Sequence, residues 1–304
     1  MKKGILFDLD GTLWDAVNGV TMSWNRAMER LGRQERFTEG QIRSLMGKTM
    51  DAIARECFPE EDPAKAAAAL NACVEEENGY LREFGGNLFD GLEDTLLELK
   101  KQGCFLAVVS NCQEGYIEAF LAHHHLEPLF GDFESFGHTG RGKGFNIRQV
   151  VRRNHLDSAL YVGDTEGDRE AALEAGVPFL HAAYGFGTVP EGTPSVSDIR
   201  LLPGKAEETF RAERIARYEE MMEQAECTAE EMENALENYG RTGPLRAALE
   251  AYLASPEWKE DYEADEAGKL PVSLKRGVLS QDGLYNLLDR FAELDRRLGE
   301  RSGE

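Results

Sequence analysis

An apolar run, Ile5-Leu6-Phe7, passes directly into two carboxylates one residue apart, Asp8 and Asp10, and then into Gly11-Thr12. Few folds accommodate that order. A short, continuous apolar run reads as a strand buried on both faces, as in a parallel sheet. The carboxyl end of such a strand is where open α/β sheets place ligands. Alternation along the strand points the Asp8 and Asp10 side chains the same way. Gly11 lets the backbone turn and approach a bound group closely. Two acids beside free backbone N–H groups suit a phosphate, a metal, or both.

The rest of the chain supplies the sheet. From residue 16 to 85 the pattern is helical, with Val17, Val20, Trp24, Ala27 and Leu31 on one face and Gly32 as a stop. Thr38 with Gln41 forms a capping-box pattern, and Ala64 to Leu81 reads as an Ala-rich helix. No strand-like run interrupts, so this span is expected to be a small helical insertion after the first strand. Strands and helices then alternate. Cys104 to Val109 is a buried strand ending at Ser110-Asn111. Further strands are expected at Phe133 to Phe136, at Ala159 to Val162, which ends at Gly163-Asp164, and at Pro178 to Ala183. Such alternation implies right-handed crossovers and a parallel, doubly wound sheet.

After Gly204 the pattern changes. Ile215, Tyr218, Met222, Ala225, Ala229, Met232, Leu236 and Tyr239 follow alternating spacings of three and four, and Leu284, Leu287, Phe291, Leu294 and Leu298 repeat it. The simplest expectation is an antiparallel helical pair formed by the two seams, with a dimeric coiled coil as the alternative. The fold class is therefore α/β, a doubly wound parallel sheet with an inserted helical cap and a C-terminal all-helical domain. The expected boundaries are 1–15 with 86–204 for the core, 16–85 for the cap and 205–304 for the helical domain.

Composition narrows the function. The formal net charge is −22, with acids spread along the whole chain, which argues against a general nucleic-acid or anionic-membrane surface. The five cysteines are odd in number and include no Cys-x-x-Cys, so reduced thiols in a cytoplasm fit better than disulfides or structural zinc. No apolar run approaches the ~20 residues of a membrane span.

Four short motifs occur in order. They are Asp8-Leu9-Asp10-Gly11-Thr12, Ser110-Asn111, Lys143 within Gly140-Arg141-Gly142-Lys143-Gly144, and Gly163-Asp164 followed by Asp168. Together, across about the first two-thirds of the chain, they resemble the motif set of the haloacid dehalogenase superfamily, whose core is Rossmann-like. The helical insertion resembles its phosphoglycolate-phosphatase-like branch, and the last hundred residues resemble an uncharacterised bacterial helical domain. The resemblance implies Mg²⁺ held by the Asp8 carboxylate, the Asp10 backbone carbonyl and Asp164, with Asp168 beside or behind them. It implies Asp8 as nucleophile, forming an aspartyl phosphate, and Asp10 as general acid and then base. Gly11, Thr12, Ser110, Asn111 and Lys143 would bind the phosphoryl group, with Thr12 steadying the Asp8 loop.

The residue types fit that chemistry. Two carboxylates ~4 Å apart cost about 4 kcal/mol at an effective dielectric near 20, which a divalent cation removes, and hard oxygen ligands favour magnesium. Neighbouring carboxylates are expected to raise the Asp10 pKa. Arg43 and Lys48 are the cap cations nearest a loop signal, and His123-His124-His125 lacks the acids of a metal tract. The expected function is Mg²⁺-dependent hydrolysis of a small phosphorylated metabolite. A phosphomutase acting on a sugar phosphate, or a protein whose residues 205–304 recruit a partner or a second copy, are the alternatives. The sequence leaves the substrate open.

Overall fold

The computed structural model describes residues 2–59 and 61–301. The chain opens with β1 (Lys3–Phe7) and β2 (Trp14–Asp15). Four helices follow: α1 (Val17–Arg30), α2 (Glu39–Leu45), α3 (Met50–Cys57) and α4 (Pro63–Phe84). Next come β3 (Asn87–Leu88), α5 (Leu92–Lys101), β4 (Phe105–Ser110), α6 (Tyr116–His124), β5 (Asp132–Ser135), α7 (Phe136–Thr139) and α8 (Lys143–Arg153). The core closes with β6 (Ser158–Gly163), α9 (Glu166–Ala175), β7 (Phe179–Ala182) and β8 (Ser195–Val196).

Six strands form one parallel sheet in the order β5-β4-β1-β6-β7-β8. β1 is central, and Ile5, Leu6 and Phe7 are fully buried, as a strand covered on both faces requires. Phe7 pairs with Val108 on β4 and with Val162 on β6. The ends of three adjacent strands therefore deliver Asp8, Ser110 and Asp164 to one edge. That edge is the switch point where the chain leaves β1 in opposite directions across the sheet.

The four inserted helices leave and rejoin the core through a two-strand antiparallel ribbon, Trp14 opposite Leu88 and Asp15 opposite Asn87. Two-residue strands carry no period, so this stem has no signature in the sequence. Val17, Val20, Trp24 and Ala27 are buried on α1 as their spacing predicts, while Leu31 is exposed. Thr38 and Gln41 close the expected capping box on α2.

Two compact units are present, Met1–Arg217 and Tyr218–Glu304. The division falls inside α10 (Leu202–Arg241), not at the change of pattern near Gly204. The start of α10 belongs to the first unit, with Leu202, Ala206 and Phe210 buried there. The second unit holds the rest of α10, then α11 (Gly243–Leu253), α12 (Pro256–Glu266), a 3₁₀ turn at Gly277–Leu279 and α13 (Gln281–Arg301). Ser255 caps α12, and the Trp258 indole stacks on Tyr262 and donates to the Val278 carbonyl.

The two apolar seams do not zip together, contrary to the expected antiparallel pair. Tyr218, Met222, Met232 and Leu236 remain exposed. The seams meet at Tyr239, whose ring lies 5.8 Å from Phe291 and whose hydroxyl donates to Asp295 at 2.7 Å. α13 packs instead on α11 and on Gly277–Leu279. Among the described residues no helix is long and apolar enough to cross a membrane.

Candidate active site

The sheet edge gathers buried charge. Asp8, Asp164 and Asp168 place carboxylate oxygens within 4.8 Å of one another, and all three are buried. Among the described residues this is the one cluster of its kind. Lys143, buried at the first turn of α8, donates to Asp8 Oδ1 at 2.8 Å and to Asp168 Oδ1 at 2.5 Å. Asp168 is held from its other oxygen by Thr165, the N-cap of α9, through a backbone N–H at 3.0 Å and a hydroxyl at 2.7 Å. It thus caps its helix and pairs with Lys143 at once.

Asp164 follows β6 and accepts at Oδ2 from the N–H groups of Phe186 and Gly187. A Cβ on Gly185 would sit 2.3 Å from the Gly11 carbonyl, and one on Gly11 would sit 2.3 Å from Asp164 Oδ2. Only glycine permits the two loops to close on this carboxylate. Asp164 Oδ1 is buried without a hydrogen-bond partner. A buried orphan oxygen is rare, and this one belongs to a carboxylate clustered with two others.

The charge is unevenly compensated. Burial raises the Asp8 pKa to about 6, with Asp168 adding and Lys143 opposing. Burial likewise lifts Asp164 to about 7, with Asp8 and Asp168 adding. Burial alone would lower Lys143, but Asp168 and Asp8 outweigh it and its pKa is raised. One ammonium pairs with two of the three carboxylates, Asp8 and Asp168. The donor set is all hard oxygen with an unused lone pair, so it fits a Mg²⁺-type cation.

Asp10 stands apart from this cluster. Its Oδ1 accepts from the Trp14 indole at 3.0 Å and from the Tyr116 hydroxyl at 2.8 Å. Its pKa is raised well above the usual carboxyl range, first by burial and only then by Asp8 and Glu77, while the Tyr116 hydrogen bond opposes. Desolvation, not the neighbouring acids expected from sequence, is the main cause. With two donors on Oδ1, a proton on this acid belongs on Oδ2. Trp14 and Tyr116 carried no motif signal, Tyr116 lying 106 residues from its partner.

The other expected residues also reach this edge. Ser110 is buried at the end of β4. Asn111 donates from Nδ2 to the Gly47 carbonyl of the cap at 3.0 Å and leaves Oδ1 unpaired. The Thr12 hydroxyl is buried without a partner, while its carbonyl accepts from Tyr184. Gly11 donates its N–H to the Trp14 carbonyl. Arg43 pairs loosely with Asp15 and lies over Phe186, and Lys48 pairs with Glu56. In the histidine tract, His124 packs edge-on against Trp14 and its pKa falls to about 4 through burial.

Comparison with known proteins gives the same outline. Residues 5–182, more than half of the chain, match the family described as haloacid dehalogenase-like hydrolase. Residues 215–298 match one described only as a domain of unknown function, DUF4298. The phosphoglycolate phosphatase of Rhodobacter capsulatus is 28% identical over 218 residues, covering 68% of this chain and 98% of that protein. That of Vibrio cholerae serotype O1 is 28% identical over 198 residues, covering 60% and 85%. The solved structure of a predicted phosphatase from Clostridium acetobutylicum has a TM-score of 0.57 at 24% identity, covering 68% of this chain and 99% of that one. At that identity the structural likeness speaks to fold alone.

Proposed function

This chain belongs to the haloacid dehalogenase-like hydrolases, and on that premise we propose that it is a phosphatase hydrolysing small phosphomonoesters through an aspartyl phosphate on Asp8. The observation that carries this reading is the convergence of Asp8, Asp164 and Asp168 at the switch point of the sheet, with Lys143 paired to Asp8 and Asp168. The relatives named phosphoglycolate phosphatase support the reaction class.

Asp8 attacks phosphorus, and Lys143 orients its carboxylate while offsetting charge on the phosphoryl oxygens. Asp10, kept protonated by burial, gives its Oδ2 proton to the departing alcohol. It then accepts a proton from the water that cleaves the acyl phosphate. Ser110 and the loop at Gly11 and Thr12 border the transferring group. Asp8, Asp164 and the Asp10 carbonyl, with Asp168 behind them, would hold Mg²⁺, which neutralises phosphate charge when bound. The inserted helices exclude water.

The test is phosphate release from p-nitrophenyl phosphate with and without Mg²⁺. Asp8→Asn should lower kcat on the order of 10⁴-fold while the fold persists. Comparable turnover in that variant contradicts the nucleophile assignment.

A further inference from the structure

Between the sheet edge and the inserted helices lies a cavity of about 40 Å³. Asp10, Ser110 and Asn111 line it, whereas Asp8 and Lys143 do not. On the phosphatase reading it therefore lies on the proton donor's side of the reacting group, where the departing alcohol would sit. Trp24, Ile42, Leu45 and Met50 make its walls apolar.

One wall residue breaks that character. Glu77 of α4 is 4% exposed and belongs to the cavity lining. Its Oε2 accepts from the Trp24 indole, and its Oε1 from the Gln113 amide at 3.0 Å. A carboxylate has about four lone-pair positions, so two protein donors leave acceptor capacity for an occupant. Burial raises its pKa to about 7 against those two hydrogen bonds. Lys48 also lines the space, but its ammonium is 2.6 Å from Glu56. A second carboxylate confined here would meet a like charge or force a proton onto one of the two.

We propose that Glu77 determines specificity. The alcohol released is small and ends in a hydrogen-bond donor, a hydroxyl or an ammonium, and an alcohol ending in a carboxylate is rejected. This rests on the phosphatase reading above, and it separates the chain from the substrate for which its curated relatives are named.

The experiment compares three two-carbon esters on the full chain with Mg²⁺: 2-hydroxyethyl phosphate, O-phosphoethanolamine and 2-phosphoglycolate. The first two should exceed the third in kcat/KM by about tenfold or more. Glu77→Gln keeps the size and an acceptor for Trp24. It should raise 2-phosphoglycolate relative to 2-hydroxyethyl phosphate about tenfold, chiefly through KM. Glu77→Ala should shift the ratio the same way, and a ratio is indifferent to how much protein is folded. Preference for 2-phosphoglycolate in the unaltered chain, or a ratio that neither variant moves, overturns the assignment and leaves the phosphatase reading standing. Release from p-nitrophenyl phosphate but from none of the three also overturns it. No release from any ester sinks the phosphatase reading and this inference with it.

Discussion

The first unit, Met1–Arg217, buries a set of charged side chains, whereas the second, Tyr218–Glu304, buries none among the described residues. In the first, Asp8, Asp10, Glu77, Lys143, Asp164 and Asp168 are all buried. In the second, Leu279 and Leu284 are the buried side chains among the described residues, and ion pairs such as Arg276–Asp265 stand half exposed. Burying an uncompensated carboxylate costs several kcal/mol and does nothing for folding. A chain keeps such a cluster where it does chemistry. That contrast places the candidate chemistry in the first unit.

The sharpest way to break the comparison is to remove one cation from each unit. Lys143→Ala should lower kcat on the order of 10²–10³-fold. It should also cost about 3 kcal/mol in metal-free denaturation, because Asp8 and Asp168 lose their partner. Arg276→Ala should cost less than about 1 kcal/mol. Equal losses would show that burial does not separate the two units.

Protonation gives the next effect. Asp8, Asp164 and Glu77 have folded pKa values of about 6, 7 and 7, above their ordinary ones. The folded state therefore holds more protons than the unfolded state between about pH 4 and pH 7, and stability falls as pH rises through that window. Saturating Mg²⁺, at about a hundred times its Kd, should add about 2.7 kcal/mol near neutral pH and flatten the slope. Urea titrations across pH, with and without Mg²⁺, read both. Metal-free stability that rises across the window would contradict the buried-acid account.

A smaller change is expected at Tyr116. Tyr116→Phe removes one donor from Asp10 Oδ1 and should lower kcat about tenfold. That hydrogen bond holds the Asp10 pKa down, so the basic limb of the kcat–pH profile should move to higher pH. Smallest of all is Met222→Glu in the exposed seam of α10, expected to stay within about 0.5 kcal/mol and to leave kcat/KM unchanged. A larger loss, with a sedimentation shift on dilution, would show that the seam is covered in solution.

The sequence foretold these regions unequally, for physical reasons. β1 was legible because a strand buried on both faces must be continuously apolar, and Asp8, Ser110 and Asp164 were legible because strand ends are where such sheets bind ligands. The β2–β3 stem was not, since two residues have no period. Glu77 stands in a run with Glu75 and Glu76, where residue type marks none of the three and only helical phase singles it out. It lies on the buried stripe of Ala66, Leu70, Cys73 and Leu81. The two apolar seams have a clear period, but periodicity names an apolar face without naming its partner, and α13 packs on α11.

The most direct test is to find where the phosphoryl group rests during turnover. The full chain, quenched in acid while hydrolysing p-nitrophenyl phosphate with Mg²⁺, should carry a base-labile phosphoryl adduct on the peptide containing Asp8, and Asp8→Asn should carry none. An adduct on another residue, or sustained turnover by Asp8→Asn, would contradict the account.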